Sequence, residues 1–286
     1  MLNMDYDDFP EVPEDYYERS ADHYFLEAQQ EIKELYENDK ESVFYLRQLQ
    51  VKFEKKYYHW VTNNAIIGLY KIGYLKDLRI PKAKGTSTRF FIHKSNRYAR
   101  RTINRVEKIV EEYSQDHITR SCGHRAEDLF CKALAMHGFM PMATKVREYN
   151  GKQWERTGHD LDFIFKKDGI KYGCEIKNTL GYIEKEELEI KLEMCAYLGL
   201  KPLFIMRYAP KTYINMIIHE YGGFALIFET QIYELSQEKL VQKLKDTLGL
   251  PVICSKAIPE GIIERFDKWH RRQKCEFKNG STKEGG

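Results

Sequence analysis

Residues 158–178 read GHDLDFIFKKDGIKYGCEIKN, and the Asp168-Gly169 pair near their centre limits what this stretch can be. Asp-Gly between two alternating apolar runs signals a two-residue hairpin turn, because both central residues of such a turn take positive φ. With these two as the loop, Lys167 faces Ile170, Phe165 faces Tyr172, Phe163 faces Cys174 and Leu161 faces Ile176. That face is wholly apolar and belongs against a core. The other face sets Asp162 opposite Glu175 and Asp160 opposite Lys177. Opposed residues have Cβ atoms about 4.5–5.5 Å apart, and like charges there are unfavourable. Either a divalent metal sits between the carboxylates, or the acids merely align on a solvated face. Mg²⁺ typically takes one or two protein carboxylates and completes its shell with water and phosphate oxygens. An Asp and a Glu-x-Lys on one face favour the site. A bulge near Gly173 would shift the register by one residue and break the pairing.

The 286 residues hold one large domain or two ordinary ones. No apolar run is long enough to span a bilayer, and the acidic start MLNMDYDDFPEVPEDYYE lacks the pattern of a secretory signal. Six cysteines are scattered, with no C-x-x-C, which argues against a zinc site or disulfide framework and for a cytoplasmic location. Phosphate-binding glycine loops and the G-x-S-x-G nucleophile pattern are absent. Charge is unevenly placed. Residues 1–40 hold 13 acids and 3 bases, whereas residues 41–120 hold 17 bases and 7 acids. A basic segment beside an acidic one suggests a polyanion-binding module with an acidic arm, although charge runs are often only solvated faces.

Residues 1–20 read as that irregular arm. Helical spacing follows over 21–36, 41–55 and 61–74, the last with Thr62 as its expected cap. Leu78-Arg79-Ile80, a loop KAKGTST and Phe90-Phe91-Ile92 suggest a two-stranded ribbon, and 96–113 a basic helix. In this order residues 43–94 resemble a winged helix-turn-helix domain, within a unit spanning 21–115. The resemblance implies that the third helix reads DNA through Asn63 and Asn64. It also implies that Lys71, Lys76, Arg79, Lys82, Lys84 and Arg89 contact phosphate. An interaction domain of three helices and a hairpin is the alternative.

Residues 116–275 alternate helix and strand: helices over 123–137, 184–198, 212–221, 236–248 and 259–272, strands over 142–148, 202–207 and 224–228, and the hairpin. Residues 276–286 read as a disordered tail. Apolar strands between amphipathic helices imply a mixed sheet covered on both faces. Helix with an acid, strand, hairpin with Asp and Glu-x-Lys, helix, strand, helix, strand resembles the core of the PD-(D/E)XK nuclease superfamily, the fold of many restriction enzymes and archaeal Holliday-junction resolvases. Glu127, Asp162 and Glu175-Ile176-Lys177 carry the resemblance, over residues 120–230. Leu161 stands where many members have proline before the aspartate. The expected fold is therefore a mixed-sheet α/β/α restriction-endonuclease-like core preceded by an α-rich winged-helix domain.

The resemblance implies that Asp162, Glu175 and the Ile176 carbonyl hold Mg²⁺ or Mn²⁺. Lys177 would position or deprotonate the attacking water, with a depressed pKa serving either role. Glu127 would bind a second ion or orient a water, unless it is only an exposed helix acid. Asp160 competes with Asp162 for the motif role, or stands behind it holding Lys177. His124 and His159 stay outside the catalytic set. Glu187 and Lys191, one turn apart, suggest a solvent ion pair, with Lys191 as a DNA contact. The expected function is a metal-dependent DNA endonuclease targeted by a winged-helix domain, with DNA as partner, no membrane, and a possible homodimer. The alternatives are a non-cleaving DNA-binding regulator with a nuclease-like scaffold, and an RNA-cutting effector.

Overall fold

The computed structural model describes residues 23–81 and 87–280, with side chains up to residue 273. The acidic arm over 1–20, Lys82 and Lys84 in the ribbon loop, and residues 281–286 lie outside the described residues. The chain divides into two compact units. One comprises Met1–Gln115 and a later return, Gln242–Leu250; the other comprises Asp116–Val241 and Pro251–Gly286.

In the first unit the order is α1 (His23–Asn38), β1 (Val43–Tyr45), α2 (Leu46–Phe53), α3 (His59–Lys71), β2 (Leu75–Pro81), β3 (Ser87–His93) and α4 (Arg100–Tyr113). β3 lies between β1 and β2, antiparallel to both. Ala28, Ile32, Leu46, Leu49, Phe53, Val61, Ala65, Leu69 and Phe91 form its core. The sequence periodicity expects one helix over 41–55; instead Val43–Tyr45 pairs with Phe90–Ile92 and the helix starts at Leu46. A β-branched residue and two aromatics suit a pleated strand, and three residues are too few for a period to declare itself. Tyr58, in extended conformation, caps α3 in place of Thr62, which is buried. The return segment is bonded in: the Gln48 amide donates to the Leu248 carbonyl at 3.0 Å, and Leu244 and Leu248 are buried.

The second unit is a mixed α/β structure. It runs α5 (Asp116–Met136), β4 (Met140–Val146), β5 (Glu148–Tyr149), β6 (Lys152–Gln153), β7 (Leu161–Lys167), β8 (Ile170–Lys177), α6 (Lys185–Leu198), β9 (Lys201–Met206) and α7 (Lys211–Asn215). α7 continues into a π-helical turn over Met216–Glu220. Then come β10 (Phe224–Ile227), β11 (Gln231–Tyr233), α8 (Glu238–Leu248), β12 (Val252–Cys254) and α9 (Glu260–Gly280). α9 thus runs past residue 276, where the sequence suggests that a disordered tail begins. The main sheet has the order β10-β9-β8-β7-β4, with β8, β9 and β10 parallel and β7 and β4 antiparallel additions.

Side-chain alternation sends Phe163, Phe165, Tyr172, Cys174, Ile176, Leu203 and Ile205 to one face, against Phe130 of α5 and Phe266 of α9. On the other face Leu161 and Ile164 meet Met194, Cys195 and Leu198 of α6, and Phe204 and Met206 meet Leu188, Leu192 and Ile217. Leu161 therefore joins the face opposite to the one that strict alternation with Phe163 assigns it. Asp168 (φ 51°) and Gly169 (φ 84°) form the hairpin turn, and the register runs without a bulge from Lys167↔Ile170 to Phe163↔Cys174. No helix of the described residues is long and apolar enough to cross a membrane.

Gly173 matters for close approach. A Cβ there would lie 2.7 Å from Cys195 Sγ and 2.9 Å from Leu161 Cδ1. Gly173→Ala should therefore cost about 1–3 kcal/mol through overpacking. In urea unfolding its midpoint should fall at unchanged slope; an unchanged midpoint would mean that β8 does not press on α6.

Candidate functional site

At the end of the hairpin the antiparallel ladder stops at Phe163↔Cys174. Asp162 and Glu175 are therefore not the next rung of main-chain pairing. Instead the Asp162 side chain takes over: its Oδ2 accepts the Ile176 N–H at 2.7 Å. An extended residue sends its N–H and C=O to the same side, so the Ile176 carbonyl lies on the edge that Asp162 occupies.

Glu175 follows the alternation of β8 to the α6 face and is only 1% exposed. A buried carboxylate needs compensation, and two ammonium groups supply it. Lys191 Nζ donates to Oε2 at 2.6 Å, and Lys177 lies 3.1 Å from Oε1. Lys177 also meets Glu187 at 2.8 Å. Lys191, itself buried, donates in addition to the Asp160 carbonyl at 2.5 Å.

These contacts correct four expectations. Glu187 and Lys191 do not pair with each other at the surface; each reaches inward to a partner on β8. Lys191, 4% exposed, is not placed to touch DNA. Asp160 contributes its main chain to Lys191, while Lys177 is held by Glu175 and Glu187. The Lys177 ammonium is not weakened either. Burial pushes its pKa down, but Glu175 and Glu187 outweigh that and hold it well above the ordinary lysine value. Lys177 is thus held between two carboxylates, Glu175 and Glu187. Burial likewise pushes Glu187 up, but Lys177 outweighs it and leaves the carboxyl below its usual range.

Asp162 behaves in the opposite way. Burial first, then the neighbouring Glu175, push its carboxyl up to about 8; Lys191 and the Ile176 amide oppose this without cancelling it. Glu127 on α5, half-buried, adds to the rise. It makes no hydrogen bond or ion pair with the described residues. Asp162, Glu175, Ile176, Lys177 and Glu127 thus fall in one electrostatic neighbourhood. Among the described residues no group of three or more His, Cys, Asp or Glu side chains forms a ready metal cage. His124 is exposed, and His159 Nδ1 lies 3.0 Å from the Thr157 hydroxyl.

The loop after β8 is held by buried polar groups that no motif in the sequence marks. Asn178 Nδ2 donates to the Cys122 and Ile232 carbonyls at 2.8 and 2.6 Å. Arg207 donates to the Thr179 and Leu180 carbonyls at 2.8 and 2.9 Å. The inward role of Lys191 escapes the sequence too, yet it carries a signal. Lys191 sits among Leu188, Leu192 and Cys195 at the spacing of an inward helix stripe, where a lysine demands a buried partner.

The residues expected to touch DNA separate into groups. Lys71, Lys76 and Arg79 are exposed. Arg89 is half-buried and pairs with Asp77 at 2.8 Å, which also meets Arg79 at 3.3 Å. Asn63 and Asn64 are 5% and 7% exposed, so as placed neither side chain reaches a base. No family model matches the sequence, no curated protein matches it, and no solved structure matches the fold.

The raised Asp162 group has a definite consequence for stability. Its folded value of about 8 lies above the ordinary 3.8, so between those pH values the folded chain holds a proton that the unfolded chain releases. Stability from this group therefore falls as pH rises through that window. Asp162→Asn should melt higher than the parent at pH 8.5, at roughly 2–4 °C per kcal/mol recovered, with the gap closing toward pH 4. Parallel melting curves across pH would contradict the shift.

Proposed function

We propose that the second unit is a metal-dependent phosphodiesterase acting on DNA, and that the end of the β7–β8 hairpin is its active site. What carries this reading is that Asp162 of β7 takes the Ile176 amide of β8 within electrostatic reach of Glu175, whose carboxylate lies beside the Lys177 ammonium. The donor chemistry suits Mg²⁺ or Mn²⁺: carboxylate and carbonyl oxygens, in the number such ions usually take from a protein. Charge balance points the same way. Four carboxylates (Glu127, Asp162, Glu175, Glu187) and two ammonium groups (Lys177, Lys191) leave a formal deficit of two positive charges. Proton uptake by Asp162 relieves part of that deficit, and a divalent cation would relieve all of it.

Asp162, Glu175 and the Ile176 carbonyl would hold the ion, with Glu127 placed to orient a water. Bound there, it supplies positive charge to the scissile phosphate and lowers the pKa of a water. To serve as a ligand Asp162 would have to be in its ionised form. Lys177 orients the water or a phosphate oxygen through its N–H donors. Lys191 and Glu187 keep Glu175 and Lys177 in place. The first unit would supply DNA affinity, and cutting both strands would call for two such chains.

Supercoiled, linear and branched DNA, and RNA of matching sequence, incubated with Mg²⁺, Mn²⁺ or EDTA, test this. Cleavage of DNA alone should depend on the metal and fall more than about a hundredfold in Asp162→Asn and Glu175→Gln, with DNA binding in EDTA retained. Lys191→Met should cost roughly 10–100-fold, as loss of a ligand-orienting partner does. Unaltered cleavage in both carboxylate variants would refute the site. One observation favours the scaffold alternative: both Glu175 oxygens already carry an ammonium. That reading expects DNA binding with no product under any cation.

A further inference from the structure

Between residues 94 and 108 the sequence KSNRYARRTINRVEK holds six cations and one acid. The acid, Glu107, is buried and accepts the Thr88 hydroxyl. The cations Lys94, Arg97, Arg100, Arg101, Arg105 and Lys108 are all exposed. None makes an ion pair or side-chain hydrogen bond with the described residues. Elsewhere exposed lysines and arginines are commonly matched: Lys56 with Glu31, Lys132 with Asp128, Arg156 with Glu193, Lys268 with Glu264. Six cations in fifteen residues with no partner among the described residues are therefore a feature of this surface rather than of the composition.

α4 orders them. Arg101, Arg105 and Lys108 recur at i, i+4 and i+7 and form one stripe, while Ile103, Val106, Ile109 and Val110 are buried. The start of α4 has no side-chain cap and no acid in its first turn; Arg100 and Arg101 stand there instead. Cations at the positive end of a helix are unfavourable, and an anion held there offsets the cost. Tyr98, between Arg97 and Arg100, is 86% exposed, an amphipathic ring that no described residue covers.

We infer that this face of α4 is a binding surface for the phosphodiester backbone of double-stranded DNA. The stripe from Arg101 to Lys108 covers about 10 Å of helix axis at ~1.5 Å per residue. Counted along the duplex axis, at ~3.4 Å per phosphate of one strand, that length corresponds to about three phosphates. Four of the six cations are arginine, whose planar fork suits phosphate oxygens, and Tyr98 is placed to stack on a sugar or base. An anionic membrane is the poorer fit. The apolar residues of α4 are turned inward, so the helix has no hydrophobic face to insert. The surface differs from the one the winged-helix resemblance implied, since α3 buries Asn63 and Asn64 and α4 exposes its charge. It goes beyond the nuclease reading and holds whether or not the second unit cuts.

The test is fluorescence anisotropy with a labelled 20-base-pair duplex in EDTA, at several salt concentrations, so that cutting plays no part. Arg101→Ala/Arg105→Ala/Lys108→Ala should weaken binding at least tenfold. The slope of log affinity against log salt should fall by about 0.9 for each phosphate that the variant no longer neutralises. Lys56→Ala/Lys132→Ala/Lys268→Ala makes the same change in net charge away from α4 and should stay within about twofold of the parent. Circular dichroism and melting of both triples check the fold. Equal losses in both triples, an unchanged α4 triple, a parent that prefers RNA duplex, or a parent that binds phosphatidylserine vesicles but not duplex would each overturn the assignment.

Discussion

A carboxylate at the interior end of a parallel strand is an expensive object, and the second unit is arranged around Glu175. Removing such an ion from water costs several kcal/mol even after relaxation, and removing one partner of a buried pair leaves that cost exposed. The two lysines that meet it come from different elements, β8 itself and α6. α6 must therefore keep one rotation about its axis, with Lys191 facing the strand. Cys195, one turn on, then rests against Gly173, where an added Cβ would lie 2.7 Å from its sulfur. Electrostatic need and steric fit select the same placement.

The hairpin that carries the acids is also tied at its far end. The Tyr172 hydroxyl lies 2.7 Å from His270 Nδ1, and His270 Nε2 lies 3.3 Å from Asp168 in the turn. Burial lowers the His270 pKa despite Asp168, so α9 clasps the hairpin chiefly through a neutral ring. Lys167 is bound to Asp267 and to the His137 carbonyl. The turn end is therefore closed by packing and hydrogen bonds. The other end, where the ladder gives way to the Asp162 side chain, is where unbalanced charge collects.

Much of this is legible in the residues, and the failures have physical causes. Asp168-Gly169 announces its turn because few other pairs take positive φ twice, and alternation sets the register as far as Phe163↔Cys174. Beyond that rung a side chain competes with the main chain for the Ile176 amide, which periodicity cannot foresee. β1 is three residues long and hides at the start of a helical pattern. Lys191 looks like a solvent partner for Glu187 because spacing along one helix says nothing about what lies opposite. Asn63 and Asn64 look like reading residues because polarity usually accompanies exposure, whereas this unit also buries Gln48, Gln50 and Thr62. The α/β class and the central strands, long and strongly patterned, are recoverable.

The return of Gln242–Leu250 into the first unit makes that unit discontinuous along the chain. Nascent polypeptide leaves the ribosome in order, so most of the second unit must emerge before Leu244 and Leu248 can fill their places. A clone ending at residue 115 would express a body with a missing piece. The portion translated earliest is thus the one whose assembly is completed late.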